Sequence, residues 1–183
     1  MHQIYGDLFT VVPEKSIQAL VMPVSGYVRK DGTAMVGGVS KLVQDRFPEV
    51  ASKLGAKLQS SRQCDYFMSA SGVDLVYLSD RPQPYRTGWK VTRSDILQSV
   101  RNKFDYYDDG VAQGLIPRWA LKPTLEQLKT ALYQLVSLAN ESKWERIAII
   151  RPSHPLPFAE VKELMDDLLD HRFALITRQK KGY

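Results

Sequence analysis

Residues 19–50 read ALVMPVSGYVRKDGTAMVGGVSKLVQDRFPEV. Ala19 to Val24 is apolar without alternation, the pattern of a strand covered on both faces. Ser25-Gly26 ends that run and opens a polar loop through Asp31-Gly32-Thr33. Val36, Val39, Leu42, Val43 and Phe47 then recur at helical spacing until Pro48. A doubly buried strand, a glycine-bearing loop and a helix in that order form one unit of a parallel α/β sheet.

The same grammar extends through the rest of the chain. A shorter helix is expected over Glu49 to Leu58, and Asp65 to Ala70 and Asp74 to Ser79 read as two strands joined into a hairpin at Ser71-Gly72. Thr124-Leu-Glu-Gln127, preceded by Pro123, has the form of a capping box, and the stripe Leu125, Leu128, Leu132, Leu135, Val136, Ala139 marks a long helix after it. A strand Arg146 to Ile150, a helix carrying Val161, Leu164, Met165, Leu168 and Leu169, and a closing strand Phe173 to Thr177 complete the series. Strands alternating with helices imply a three-layer α/β/α sandwich with a mixed, mostly parallel sheet of about six strands. Ligands of such sheets bind outside the carboxyl ends of the strands, here the loops after Val24, Ser79 and Ile150.

The 183 residues suit a single domain, with an insertion over about residues 81–122. Apolar residues make up 44% and charged residues 25%, the composition of an ordinary globular chain. No apolar run approaches the roughly 20 residues of a membrane span and the N-terminus lacks a leader pattern, so a cytoplasmic protein without membrane association is expected. One cysteine, Cys64, and three scattered histidines give neither a disulfide nor metal-ligand spacing; no metal and no cofactor are expected. The acids Asp105, Asp108 and Asp109 read as a solvated turn, and Asp166, Asp167, Asp170 and His171 as the polar side of the last helix and its end. The net charge of +5 comes from 25 basic and 20 acidic residues that are interspersed, which keeps the overall field weak and nucleic acid a poorly supported partner.

The serial order of Gly6-Asp7-Leu8-Phe9, the strand and loop from Ala19, the turn Met35-Val36-Gly37-Gly38-Val39-Ser40 with a helix ending in Phe47-Pro48, Leu75-Val-Tyr-Leu78, Lys122 to Leu128 and Ile147 to Pro152 resembles the macrodomain family. The resemblance covers residues 1–80 and 122–177. Within the family it is nearest to the branch of terminal ADP-ribose glycohydrolases and phage or bacterial ADP-ribose-1″-phosphate-processing proteins. It implies binding of ADP-ribose or a related nucleotide, with Asp7 accepting from the adenine amino group and Val36, Gly37, Gly38, Val39 and Ser40 at the phosphates. Glycines at a helix start admit close approach to backbone N–H groups, and the helix dipole favours an anion; the same glycines also permit tight strand–helix packing.

The chain departs from the family in three places. Met22 and Ser25 stand where the distal ribose is usually oriented by asparagines. The second phosphate loop is Arg151-Pro-Ser-His-Pro-Leu-Pro157, where proline supplies no N–H; side chains of Arg151, Ser153 or His154 would have to replace the missing donors. Where the glycohydrolase branch carries a nucleophilic lysine the chain has Asp80; Asp80 and His154, both in loops at the ligand-binding end of the sheet, are candidates for an acid–base couple, against the plain reading of two unconnected loop residues. Three functions stay open: an ADP-ribose binder, a hydrolase of ADP-ribose conjugates or ADP-ribose-1″-phosphate, and a ligand-free fold acting as a protein-interaction module.

The insertion mixes Tyr85, Trp89, Phe104, Tyr106, Tyr107 and Trp119 with arginines, a composition of either a satellite core or a partner surface. A helix from Ser94 to about Tyr107, with Ile96, Leu97, Val100 and Phe104 on one face, is expected inside it.

Overall fold

A computed structural model of the chain describes residues 1–24, 28, 31–34, 38–60, 65–70, 72–79, 91–103, 120–152 and 155–177. The strands are β1 (His2–Tyr5), β2 (Ala19–Val24), β3 (Asp65–Ala70), β4 (Val73–Ser79), β5 (Ile147–Ile150) and β6 (Phe173–Thr177). They form one six-stranded sheet in the order β1-β6-β5-β2-β4-β3. Five strands are mutually parallel, and β3 joins the edge antiparallel to β4 through the expected hairpin. The helices are α1 (Leu8–Glu14), α2 (Gly38–Arg46), α3 (Glu49–Ser60), α4 (Leu125–Ser142) and α5 (Phe158–Leu168).

β2 shows why a continuous apolar run was needed at the centre. Ala19 and Val21 face a core shared with α4 and α5, through Leu128, Leu132, Leu135, Val161 and Met165. Leu20, Met22 and Val24 face the opposite core, built with Leu8 of α1, Val43 of α2 and Val50 and Leu54 of α3. Successive side chains of a strand point to opposite faces, so a strand covered on both sides must be apolar at every position. Neither β1 nor α1 was expected; each is short, and α1 carries Pro13.

Helix ends are secured locally. The Gln127 N–H donates to the Thr124 hydroxyl at 3.1 Å, fixing the start of α4, and Lys143 ends it in the left-handed conformation at φ 56°. Beyond that end the Trp144 indole N–H donates to the Asp74 carboxylate at 2.8 Å, while the Gln18 side-chain oxygen accepts from the N–H of Glu145 at 2.6 Å and of Arg146 at 3.1 Å. Side chains from β4 and the turn before β2 thereby hold the entry to β5.

The helix expected from Ser94 is not formed over the described residues 94–103. Two short 3-10 turns, Arg93–Asp95 and Gln98–Lys103, stand there, with Ile96 extended between them at φ −91° and ψ 140°. Ile96 makes an antiparallel bridge to Leu121, and the Leu97 N–H donates to the Ala120 carbonyl at 2.8 Å. Long-range pairing with residues 120–122 uses backbone groups that a helix would have kept for itself, overriding the periodicity. Val91, Ile96, Ala120 and Leu121 form a small separate core. The six aromatic residues of the insertion lie outside the described residues.

Candidate functional site

The turn from β1 into α1 presents Asp7. Gly6 has φ +152°, a backbone conformation that side-chain-bearing residues rarely adopt, and a Cβ there would lie 2.7 Å from Val11 Cγ2. Glycine is therefore required for the chain to fold back over α1. Asp7 caps the helix, its Oδ1 accepting from the Phe9 N–H at 2.9 Å. The residue is exposed at the sheet end where β1, β5 and β6 finish, and Oδ2 takes part in none of the hydrogen bonds among the described residues.

Beside Asp7 lies a notch of about 60 Å³ lined by Gly6, Leu8, Phe9, Leu42, Ile150 and Ile176. It joins the start of α1, one side of α2 and the last turns of β5 and β6 at the carboxyl ends of the strands. Two of its walls are apolar residues open to solvent, Phe9 at 40% and Leu42 at 42% exposure. The notch holds about two water volumes, far below the size of a nucleotide site, so a ligand would have to displace these two side chains. Phe9 also borders a larger, mostly apolar cavity of about 250 Å³ between α1 and α2, and the Arg46 guanidinium sits 5.9 Å above its ring.

α2 begins at Gly38, so the first-turn N–H groups of Gly38, Val39 and Ser40 lack helical acceptors. The loop before it is anchored from below. Thr33 donates its N–H and hydroxyl to Asp31 Oδ1 at 2.9 and 2.6 Å, and the Ala34 N–H donates to the Ala51 carbonyl of α3 at 2.9 Å. Gly32 turns at φ +81°, with its carbonyl pressed onto Gly55 of α3.

Other anticipated site residues are placed differently. Met22 is completely buried in the core shared with α1, α2 and α3, so its side chain is packing and reaches neither cavity. Arg151 does not extend into the cleft: its Nη2 donates to the Leu156 carbonyl at 2.9 Å and its guanidinium lies 4.9 Å from the Phe158 ring centroid, bracing the proline-rich loop onto α5. Its Nε is buried and, among the described residues, has no acceptor. Ser25, Val36, Gly37, Asp80, Ser153 and His154 lie outside the described residues. Phe9, Leu42, Ile150 and Ile176 were not anticipated as lining; the one available signal was that Leu42 belongs to a helical stripe at its exposed margin. Among the described residues no cluster of metal-ligating side chains occurs, and no helix is long and apolar enough to cross a membrane.

No family model matches the sequence, and no curated protein matches it. Solved structures do share the fold. The macrodomain of Thermus aquaticus DarG superposes with a TM-score of 0.61 at 15% identity, over 98% of this chain and 97% of that one. The macrodomain of Mycobacterium tuberculosis DarG gives 0.62 at 12% identity, over 96% and 95%. Thermosipho africanus DarTG, solved in complex with ADP-ribose, gives 0.59 at 13% identity, over 97% of this chain and 41% of that one. The likeness is one of fold, and the chain has the macrodomain fold.

Proposed function

We propose that this macrodomain-fold chain binds ADP-ribose or a related adenine nucleotide at the carboxyl ends of its strands. The observation that carries the reading is the convergence of an exposed, helix-capping Asp7 with the apolar notch between Phe9, Leu42, Ile150 and Ile176. Asp7 would accept from the adenine amino group while the apolar walls take the base. The diphosphate would then lie at Val36, Gly37, Gly38, Val39 and Ser40, where the first turn of α2, from Gly38 on, offers N–H groups without helical acceptors and its dipole favours an anion. The ligand found in the Thermosipho africanus neighbour supports this class. Ser25 would face the distal ribose. Ser153 and His154 would offer side-chain donors in place of the second phosphate loop, with Arg151 holding that loop rather than contacting phosphate.

Isothermal calorimetry with ADP-ribose tests the reading, and saturable heat that is lost on substituting Asp7 is expected. A ligand at about 100 times its dissociation constant also adds roughly 2.7 kcal/mol to stability. Absence of heat and of a melting shift at millimolar ADP-ribose would favour the second reading, a macro fold kept as a protein-interaction module. That alternative draws on the braced, proline-rich loop at Arg151–Pro157 and on residues 81–122 as an inserted partner surface. Hydrolysis is a finer possibility of the same site. It would rest on Asp80 and His154, and would appear as release of ADP-ribose from a modified protein, lost in His154→Ala and leaving no borohydride-trapped lysine adduct.

A further inference from the structure

The opposite end of the sheet, where β1, β5 and β6 begin, holds a separate cavity of about 220 Å³. Its floor is apolar and firmly packed, Ile17 being 6% exposed, Ala174 2% and Ile147 fully buried. On its rim stand His2, Lys15, Arg146, His171 and Arg172, drawn from four separated stretches of chain, with Glu145 the one acid among the described lining residues.

These rim residues are not equivalent. Arg172 is held by Asp170, its Nε 3.1 Å from both carboxylate oxygens and its Nη2 2.7 Å from Oδ2, and Nη2 also donates to Asn140 Oδ1 at 2.8 Å. Its charge is largely answered from within. Lys15 and Arg146 are exposed, and the Arg146 Nη1 donates to the Lys15 carbonyl at 3.4 Å, which keeps the two basic residues together beside the isoleucine floor. His2 and His171 are exposed on the same rim and bring ring N–H donors from β1 and the turn before β6.

We propose that this cavity binds a small phosphate ester, its phosphate on Lys15 and Arg146 with His2 and His171 alongside, and its body on Ile17 and Ile147. A planar carboxylate is saturated by one arginine fork, whereas donors arriving from several directions match the tetrahedrally placed oxygens of a phosphate. The volume admits a compact ester with one ring. Glu145 limits the excess positive charge, so the site selects one anionic group over a polyanion. The site is independent of the adenine nucleotide cleft, which lies at the other ends of the same strands.

The test is a ¹H–¹⁵N NMR titration of the full chain with phenyl phosphate at about 0.15 M salt, with phenol as the uncharged control. Saturable shifts of the His2, Lys15, Arg146 and His171 amides are expected, with phenol binding at least about tenfold more weakly. Arg146→Gln and, separately, Lys15→Met should each weaken phenyl phosphate while leaving the melting temperature and the response to ADP-ribose unchanged. Shifts that fail to saturate, shifts confined to the Asp7 end, or equal binding of phenol would overturn the proposal. So would tighter, length-dependent binding of a single-stranded oligonucleotide at the same amides, which would make this end a nucleic-acid surface.

Discussion

Gly55 of α3 lies so close beneath the Gly32 carbonyl that a Cβ built on it would sit 1.9 Å from the Gly32 oxygen and 3.0 Å from the Ala34 nitrogen. Two glycines 23 positions apart in sequence thus set the height at which the loop after β2 crosses α3. That loop leads into α2, so the contact bears on where the first turn of α2 stands.

The obstruction met by a Gly55 side chain is backbone, which cannot swing aside. Gly55→Ala should therefore destabilise the fold by about 3 kcal/mol despite alanine's better helix propensity. For a chain of this size that lowers Tm by roughly 6–12 °C. Thermal denaturation against Lys53→Ala, an exposed position of the same helix, measures it; a Tm equal to that of the control would show that the loop yields freely.

Asp7 serves the helix through Oδ1. Asparagine caps as well as aspartate, so Asp7→Asn should keep Tm within about 1 °C of the parent. With Oδ1 on the Phe9 N–H, its amide would turn donors toward the adenine amino group, and ADP-ribose affinity should fall on the order of tenfold to a hundredfold. Calorimetry and melting run on the same samples separate the two roles, and a parallel loss of both would reduce Asp7 to a cap.

The Tyr77 hydroxyl is buried beneath α2 and α3 and finds no hydrogen-bond partner among the described residues. Burial also pushes its pKa well above the ordinary tyrosine value, since a charged phenolate would be poorly solvated there. Removing an unmet polar atom relieves its desolvation, so Tyr77→Phe should leave stability unchanged or raise it by up to about 1 kcal/mol. Urea denaturation decides this; a loss of stability would reveal an acceptor for that hydroxyl.

Asp170 is held below the usual carboxylate range, first by the hydrogen bond from the Arg172 side chain and further by the Arg172 backbone N–H and charge. Because the folded value is depressed, its contribution is complete above the unfolded value near 3.8 and disappears as pH falls through the folded one. The carboxylate is 42% exposed, so the pair contributes only about 0.2–1 kcal/mol. Stability of the parent minus that of Asp170→Asn should be constant from about pH 5 to 8 and shrink below about pH 4. A difference that persists undiminished at low pH would assign the effect to packing.

The fold class was legible because it follows from side-chain periodicity within short windows. The unbroken apolar run Ala19 to Val24 requires cover on both faces, the short connection between Ala70 and Val73 pairs two neighbouring strands, and Thr124 caps the helix that follows it by accepting from the N–H three residues on. These are local relationships, and a sequence states them directly. By the same token β1 and α1 do not stand out: four residues of strand and a seven-residue helix with Pro13 inside it carry too little period, and β1 exists because β6 is there to pair with it.

What the chain brings together from afar was decided by tertiary structure alone. Periodicity made Ile96 helical until Leu121 offered it a bridge, and backbone pairing outweighed propensity. Met22 lies on the strand that leads to the ligand-binding end, yet both faces of that strand are covered and its side chain is packed beneath α1, α2 and α3. Arg151 stands in the right loop, but Phe158 and the Leu156 carbonyl lie on the side toward which its side chain points. By itself, then, the sequence determined which segments become strands and helices and which sheet end carries the loops, because both follow from local pattern and chain direction. Which side chains meet there, and the gathering of Lys15, Arg146 and His171 at the other end, depended on strand order, which no local pattern encodes.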